Sequence, residues 1–286
     1  MGRVTRTRAV DKVDAAGDRL RVLRRSDVLA VEEPLEVRLD GASYLVTMRT
    51  PGDDVDLVHG LLHGEGVIGS AADVVLARYC AGTGPDGLNT YNVLDVSLVP
   101  GRARPGDEPR RQVLMSSACG ICGTTSIEQV VSALRHPATY GEPVPVRRVL
   151  DAPGLLSEHQ RTFRRTGGLH AAGLIDASGA LLCAREDVGR HNALDKVIGW
   201  ALREGRLPLA GGTLVVSSRA SYELTQKAVA AGAELLVAVS APSSLAVELA
   251  DEAGLTLVGF VRGEAMNVYT HPERIDLEGV HAAPAH

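Results

Sequence analysis

The chain is poor in aromatic residues and has no long hydrophobic segment. Phe, Trp and Tyr make up only 3% of its 286 residues, so a core must be built mainly from Val, Leu, Ile and Ala. No apolar run approaches the length of about 18 residues that a membrane helix needs. No apolar stretch follows the N-terminal arginines in the way that a secretory signal requires. We therefore expect a cytoplasmic protein that does not associate with membranes.

Cysteine is also scarce, with four residues in the whole chain. In a cytoplasmic protein, so few cysteines are typical of reduced, catalytic or metal-binding thiols rather than of a disulfide framework. Cys80 and Cys183 stand alone in apolar surroundings, which is typical of small buried residues. Cys119 and Cys122 form a C-x-x-C pair and are the candidates for thiol chemistry.

Positive charge is concentrated at the N-terminus. The formal net charge is −5, yet residues 1–25 hold eight Lys or Arg and three Asp or Glu, a net of +5. Such a segment predicts a loose, solvated tail, although a basic tail can also contact nucleic acid or an acidic partner. No basic and aromatic pattern recurs along the rest of the chain, so we do not expect nucleic-acid binding as the main task.

Patterning divides the rest of the chain into three parts. Residues 26–112 predict a small α+β domain, residues 113–275 a larger α/β domain, and residues 276–286 a loose C-terminus. In the larger part, continuously apolar strands alternate with helices that end at glycine, which is typical of a parallel or mixed sheet covered by helices. Ligands of such sheets bind at the carboxyl ends of the strands, which here are followed by residues 217–219, 240–243 and 260–263.

The cysteine pair lies on a glycine-rich segment just before a predicted helix. Thr125 and Glu128 form a capping-box pattern that would begin this helix. Backbone N–H groups at a helix N-terminus stabilise a thiolate and lower its pKa. Spacing alone leaves three interpretations open: half of a zinc site, a dithiol redox centre, or a sulfur carrier that holds a persulfide.

A second pattern resembles part of a zinc deaminase. His63 and Glu65 match the H-x-E element of those enzymes, and the C-x-x-C pair supplies thiols. However, Ala118 stands where proline belongs, and more than fifty residues separate the two elements. The sequence therefore disfavours zinc deamination.

Several segments, taken in order, resemble one family. The chain is similar to the FdhD/NarQ family, the formate dehydrogenase accessory sulfurtransferases, over roughly residues 28–275. Each motif alone is weak, and the ordered set is specific. The main segments are EEPL (32–35), MRTPGDD (48–54), CGIC (119–122), TGGLHAA (166–172), REDVGRHN (185–192), SAPSSLA (240–246), GFVR (259–262) and NVYT (267–270).

The resemblance implies a role in cofactor maturation. Proteins of this family accept sulfur from a cysteine desulfurase, hold it as a persulfide and pass it to Mo-bis(molybdopterin guanine dinucleotide), which then serves formate dehydrogenase. Cys119 matches the persulfide residue and Cys122 the second cysteine of the family motif. The family also implies a homodimer and a core that resembles cytidine deaminase but ligates no metal. A dithiol oxidoreductase and a non-catalytic cofactor chaperone are the alternatives.

The resemblance also places the contacts to the cofactor. They fall on Phe260, Val261, Arg262, Gly263, Glu264 and Ala265, after the last core strand. An arginine and a glycine at a strand end suit a phosphate or a guanine edge, because guanidinium and backbone N–H groups can both donate there. Ser218 and Arg219 lie before a neighbouring helix and add anion-binding N–H groups. Glu264 is unexpected beside a polyphosphate.

A polar cluster near the middle of the chain has two interpretations. Its members are His170, Glu186, Asp187, Arg190 and His191. They either form a pocket wall that handles protons or phosphates, or a hydrogen-bonded network that fixes loops between elements. Ser243 and Ser244 likewise either bind an anion or simply cap a helix.

Overall fold

The computed structural model describes residues 3–15, 20–80, 91–101 and 141–277. Cys119, Cys122 and the helix predicted to begin at Thr125 lie outside the described residues. Within the described residues, no helix combines the length and apolar character needed to cross a bilayer.

The first half of the described chain consists mainly of strands. These are β1 (Thr5–Asp14), β2 (Arg21–Ala30), β3 (Glu33–Leu39), β4 (Ala42–Arg49), β5 (Val74–Tyr79) and β6 (Val93–Leu98). Helix α1 spans Asp54–Gly64, and a 3-10 turn spans Ala71–Asp73. Alternating residues predict strands at Leu35–Leu39 and Tyr44–Met48, and Asp53 and Asp54 predict the start of a helix. β3, β4 and α1 confirm these three predictions.

The second half alternates between strands and helices. The strands are β7 (Val144–Pro145), β8 (His170–Ile175), β9 (Leu181–Asp187), β10 (Thr213–Val216), β11 (Leu235–Ala238), β12 (Thr256–Arg262), β13 (Ala265–Val268) and β14 (Ile275–Asp276). The helices are α2 (Val146–His159), α3 (Arg161–Thr166), α4 (Arg190–Arg203), α5 (Tyr222–Ala230) and α6 (Ser244–Glu252), and Pro272–Arg274 form a 3-10 turn.

The basic N-terminal segment is a β-hairpin in the described residues rather than a loose tail. β1 and β2 pair antiparallel over their whole length, from Thr5 opposite Ala30 to Asp14 opposite Arg21. The prediction of a tail over residues 1–25 was wrong because it relied on charge. β1 begins with an alternation of Thr and Arg at residues 5–8, and β2 contains Val22 and Val28, so β-branched residues are present in both strands and favour extended structure.

The small sheet has the order β4-β3-β6-β5. Along β3, buried Leu35, Val37 and Leu39 alternate with more exposed polar residues, because successive side chains of a strand point to opposite faces. The buried face packs on Leu57, Leu61 and other apolar residues of α1. This unit agrees with the predicted α+β part, although the exact domain boundaries stay a prediction.

The large sheet has the order β13-β12-β11-β10-β8-β9. β10, β11 and β12 are parallel, whereas β8, β9 and β13 pair antiparallel with their neighbours. α4, α5 and α6 cover one face and α2 covers the other. The prediction of a mixed sheet covered by helices is therefore confirmed, while a cytidine-deaminase-like core stays a prediction.

Helices α1 and α4 join the two sheets through close backbone packing. A Cβ atom on Gly60 would lie 2.0 Å from the carbonyl oxygen of Asp195, and one on Gly199 would lie 1.8 Å from that of Asp56. Only glycine fits at both positions, because any side chain would overlap the facing backbone.

Candidate functional site

The carboxyl ends of the three parallel strands meet at one edge of the large sheet. The loops that follow β10, β11 and β12 are tied together by backbone hydrogen bonds: Ser243 N–H donates to Ala220 O over 3.0 Å, and Phe260 N–H donates to Ser240 O over 3.3 Å. Gly259 packs closely against this edge, since a Cβ atom there would lie 3.1 Å from Ser240 O. The edge is thus a defined surface, in the place where α/β sheets bind ligands.

The structure brings both predicted groups of cofactor contacts to this edge. Ser218 and Arg219 follow β10, and residues 260–265 form the end of β12 and the turn into β13. β11 lies between β10 and β12, so the two groups are separated by two strand spacings, or about 10 Å.

The residues after β10 differ in what they offer to a ligand. Ser218 is buried, and its hydroxyl donates to the carbonyl oxygen of Arg219 over 3.0 Å. Arg219 is exposed, so its guanidinium is accessible. Of these two predicted contacts, Arg219 is therefore the one that can donate to an anion from solvent.

The end of β12 has an irregular backbone. Phe260 has a φ of 53° and Gly263 a φ of 56°, and the pairing with β13 shifts register between Gly259 and Arg262. Phe260 and Arg262 are exposed, whereas Val261 is only 1% exposed and packs in the core. Only the backbone of Val261 can therefore face a ligand. Irregular backbone of this kind is common beside binding sites, because it re-aims side chains.

The structure gives Glu264 a partner other than a ligand. Its carboxylate accepts from the Arg147 guanidinium over 2.5 Å, and both side chains are largely exposed. An exposed pair of this kind contributes little to stability. It does partly neutralise the negative charge of the Glu264 carboxylate.

Of the two interpretations of Ser243, anion binding or helix capping, the structure favours capping. Its hydroxyl accepts from Ala246 N–H over 3.3 Å, so Ser243 caps α6. At the start of α5, by contrast, Ser221 makes no side-chain capping bond. The side chain of Ser221 therefore does not cap the first backbone N–H groups of α5. These N–H groups lie close in the sequence to Arg219.

Asp187 belongs to a buried structural network. It is fully buried, and its carboxylate accepts from Lys196 Nζ over 2.8 Å, Thr50 N–H over 3.1 Å and Gly189 N–H over 2.9 Å. Lys196 Nζ also donates to Thr50 O over 2.9 Å. The network fastens the loop after β4 to β9 and α4, which favours the structural interpretation for Asp187.

Glu186 likewise has a structural role. Its two carboxylate oxygens accept from Thr162 N–H over 2.8 Å and Phe163 N–H over 2.7 Å. These are N–H groups of the first turn of α3, which have no partner within the helix. Glu186 thus holds α3 against the end of β9.

The two histidines of the cluster lie beside the sheet edge. His191 Nε2 is 2.7 Å from a carboxylate oxygen of Glu223 and 3.5 Å from the Ser221 hydroxyl. Burial, together with the nearby Arg190 charge, lowers the pKa of His191 to about 4, and the same two causes lower the pKa of His170. The lowered pKa values favour the neutral imidazoles, and Nε2–H of His191 donates to Glu223 because a carboxylate oxygen accepts. For His170 and His191, the interpretation as part of a pocket wall therefore remains a prediction.

The H-x-E pair serves structural contacts. His63 is buried and its Nε2 lies 3.1 Å from Ala230 O. Glu65 accepts a hydrogen bond from the Tyr44 hydroxyl, and burial raises the pKa of its carboxyl. The two side chains therefore hold α1 against α5 and β4, in keeping with the sequence evidence against zinc deamination.

The isolated cysteines differ in exposure. Cys183 is buried, and burial raises the pKa of its thiol to about 12, which disfavours the thiolate form at neutral pH. Cys80 is half-buried. The interpretation of Cys183 as a small buried residue is confirmed.

A cavity that the sequence patterns did not predict lies beside the small sheet. Its volume is about 280 Å³, and its lining includes Glu33, Asp53, Asp54 and Asp56 together with Tyr79 and Tyr91. Buried Arg49 donates to both carboxylate oxygens of Asp54, each over 3.0 Å. The segment MRTPGDD carries the signal for this site, because it places an arginine and a pair of aspartates at a strand-to-helix turn.

Comparison with known proteins establishes the family. The model of the FdhD/NarQ family matches residues 30–276. The chain belongs to the FdhD/NarQ family. A relative from Nocardia farcinica named sulfur carrier protein FdhD is 56% identical over 96% of each chain. A relative of the same name from Streptomyces coelicolor is 51% identical over 97% of this chain and 98% of its own.

A solved structure shares the fold. A protein from Desulfotalea psychrophila that was assigned as a formate dehydrogenase accessory protein is 22% identical. It superposes with a TM-score of 0.71 over 96% of this chain and 100% of its own. The family fold therefore extends over nearly the whole chain, whereas the family model begins at residue 30 and leaves out most of the hairpin.

Proposed function

We propose that this protein is a sulfur carrier that serves formate dehydrogenase. It accepts sulfur from a cysteine desulfurase on Cys119 and transfers it to Mo-bis(molybdopterin guanine dinucleotide). The observation that carries the proposal is membership of the FdhD/NarQ family together with relatives above 50% identity named sulfur carrier protein. The C-x-x-C pair is the element of the sequence that can carry sulfur.

The loading step is a thiol exchange. The Cys119 thiolate attacks the outer sulfur of the donor persulfide, the sulfur–sulfur bond of the donor breaks, and the donor cysteine leaves as a thiolate. Cys119 then carries one additional sulfur. No net oxidation occurs, because one persulfide forms while another is consumed.

Release of the outer persulfide sulfur as sulfide requires two electrons, which oxidation of the cysteine pair to a disulfide supplies through Cys122. The Cys122 thiolate attacks the inner sulfur of the Cys119 persulfide, a disulfide forms between the two cysteines, and the outer sulfur leaves as sulfide. A dithiol reductant then restores the pair. The three-residue step from Cys119 to Cys122 suits this exchange, because C-x-x-C cysteines can form a disulfide.

The edge of the large sheet suits the guanine nucleotide portion of the substrate. Arg219 and Arg262 are exposed there and can donate to phosphate oxygens. The turn at Gly263 and the uncapped start of α5 add backbone N–H groups. We expect these groups to hold the diphosphate while the cysteine segment delivers sulfur.

Other parts of the proposal concern partners and location. The sulfur donor is a cysteine desulfurase and the recipient is formate dehydrogenase, to which the sulfurated cofactor passes. We also propose that the protein acts in the cytoplasm as a homodimer. In this scheme the molybdenum cofactor is the substrate, and the protein itself ligates no metal.

A nucleotide-binding measurement tests the cofactor site. Replacing Arg262 with alanine is expected to weaken GDP binding at least about tenfold, because a charge-assisted hydrogen bond to phosphate is lost. Isothermal titration calorimetry with GDP measures the dissociation constant. Arg38→Ala, on the small sheet, is the matched control and should bind GDP like the wild type. Equal affinity in all three proteins, or no GDP binding by the wild type, would contradict the site.

A further inference from the structure

Arg190 carries a positive charge that no carboxylate of the described residues pairs with. It is half-buried at the first position of α4, and its Nε atom is buried without a hydrogen-bond partner. Buried donors are nearly always satisfied in folded proteins, and a partly buried charge costs free energy unless an opposite charge compensates it. Arg190 therefore indicates a partner beyond the described residues.

The acidic side chains in this part of the molecule are engaged with other groups. Glu186 accepts from the first backbone N–H groups of α3. Asp187 is paired with Lys196, and Glu223 accepts from His191. The guanidinium of Arg190 thus keeps its full positive charge, which favours an anion as the missing partner.

Further hydrogen-bond donors lie beside Arg190. Its charge acts on the rings of both His170 and His191, and together with burial it lowers the pKa of each. A neutral imidazole donates from one of its two ring nitrogens. α4 is 14 residues long and follows Gly189, which has no side chain to cap its first N–H groups. Guanidinium, imidazole and backbone donors are therefore available in one place.

This place is continuous with the sheet edge described above. β8 pairs with β10, and Ala171 N–H donates to Ser217 Oγ over 2.9 Å. The start of β8 therefore lies one strand spacing, or about 5 Å, from the end of β10 that precedes Arg219. His170 in turn lies opposite Asp187 at the end of β9, so α4 also begins at this edge.

We propose that Arg190, His170 and the start of α4 form an anion site that binds a phosphate group. The planar fork of a guanidinium matches two oxygens of a phosphate, and a helix N-terminus favours negative charge. In the proposed function the occupant is a phosphate of the nucleotide portion of the substrate. That choice of occupant rests on the proposed function, whereas the anion site rests only on the residues that form it.

NMR titration of the full chain with inorganic phosphate, at neutral pH and constant ionic strength, tests the site. We expect the imidazole signals of His170 and His191 to shift and to saturate, because the anion binds beside both rings. The signal of His59 should stay in place, since His59 lies on α1 near Arg203, at the far end of α4. The variants His170→Asn and His191→Asn assign the two signals.

Replacing Arg190 with glutamine is expected to raise the dissociation constant for phosphate at least about tenfold, because the charge-assisted hydrogen bonds are lost. Arg148→Gln is the matched control. Arg148 is also half-buried, but it lies beside Gly179 in the turn between β8 and β9, at the opposite edge of the sheet. The control should bind phosphate like the wild type. Thermal melts check that both variants fold, and the wild-type titration stands without them.

Titrations with GDP and with guanosine distinguish the two sources of phosphate. If the nucleotide supplies it, GDP should shift the His170 signal at lower concentration than inorganic phosphate does, and guanosine should leave it in place. A shift with inorganic phosphate but not with GDP would keep the anion site and overturn its link to the substrate. No saturable shift of His170 in the wild type, or equal weakening in Arg190→Gln and Arg148→Gln, would overturn the site itself. Sulfur loading of Cys119 is measured separately, so its failure would not change these results.

Discussion

Replacing Lys196 with methionine is expected to lower the free energy of unfolding by about 3–5 kcal/mol. Lys196 Nζ lies 2.8 Å from the carboxylate of Asp187, and both side chains are buried. Methionine keeps most of the length of the side chain but leaves Asp187 as a buried charge without its cation. Urea denaturation followed by circular dichroism measures the change.

The double variant Asp187→Asn/Lys196→Met separates the charge effect from packing. If the buried charge is the cause, the double variant should recover part of the stability lost in Lys196→Met, because no unpaired charge remains. A single variant as stable as the wild type would contradict this account of the network. Loss of stability is also expected to loosen the loop at Thr50, which both partners hold.

Replacing Gly199 with alanine is expected to destabilise the protein by about 3 kcal/mol or more. The new methyl group would lie 1.8 Å from the carbonyl oxygen of Asp56, so α1 and α4 must move apart. The clash is with backbone rather than with a flexible side chain, and it cannot be relieved by a change of rotamer. Thermal and urea unfolding of the purified variant measure the effect.

Gly154→Ala is the matched control for this prediction. Gly154 lies within α2, and a Cβ atom there would meet nothing within 4 Å. Because alanine favours a helix over glycine, this variant should be slightly more stable, by up to about 1 kcal/mol. A Gly199→Ala protein that unfolds at the same urea concentration as Gly154→Ala would contradict the close packing of α1 on α4.

Strong local patterns allowed most of the large sheet to be predicted. β10, β11 and β12 are continuously apolar, and α5 and α6 end near Gly232 and Gly254, so both kinds of element could be recognised. The sequence did not predict α2, because Pro153 and Gly154 interrupt its helical pattern. The hairpin was missed because charged residues dominate it and regular alternation is confined to the start of β1.

The candidate site was only partly predictable for a different reason. The position of Arg219 and Arg262 at one edge follows from the parallel direction of β10, β11 and β12, because the carboxyl ends of parallel strands meet at the same edge. The partners of Asp187 do not follow, because Thr50 lies far away in the sequence and only the packed fold brings it near. The same limit applies to Glu264, whose partner Arg147 comes from the start of α2.

The central claim is that Cys119 carries a transferable sulfur. Intact-protein mass spectrometry after incubation with a cysteine desulfurase and cysteine tests it most directly, on the wild type, Cys119→Ala and the control Cys183→Ala. We predict that the wild type and the control gain the mass of one sulfur atom, that a thiol reductant removes it, and that Cys119→Ala gains none. No added sulfur in the wild type, or the same gain in Cys119→Ala, would contradict the claim and favour a redox pair or a cofactor chaperone.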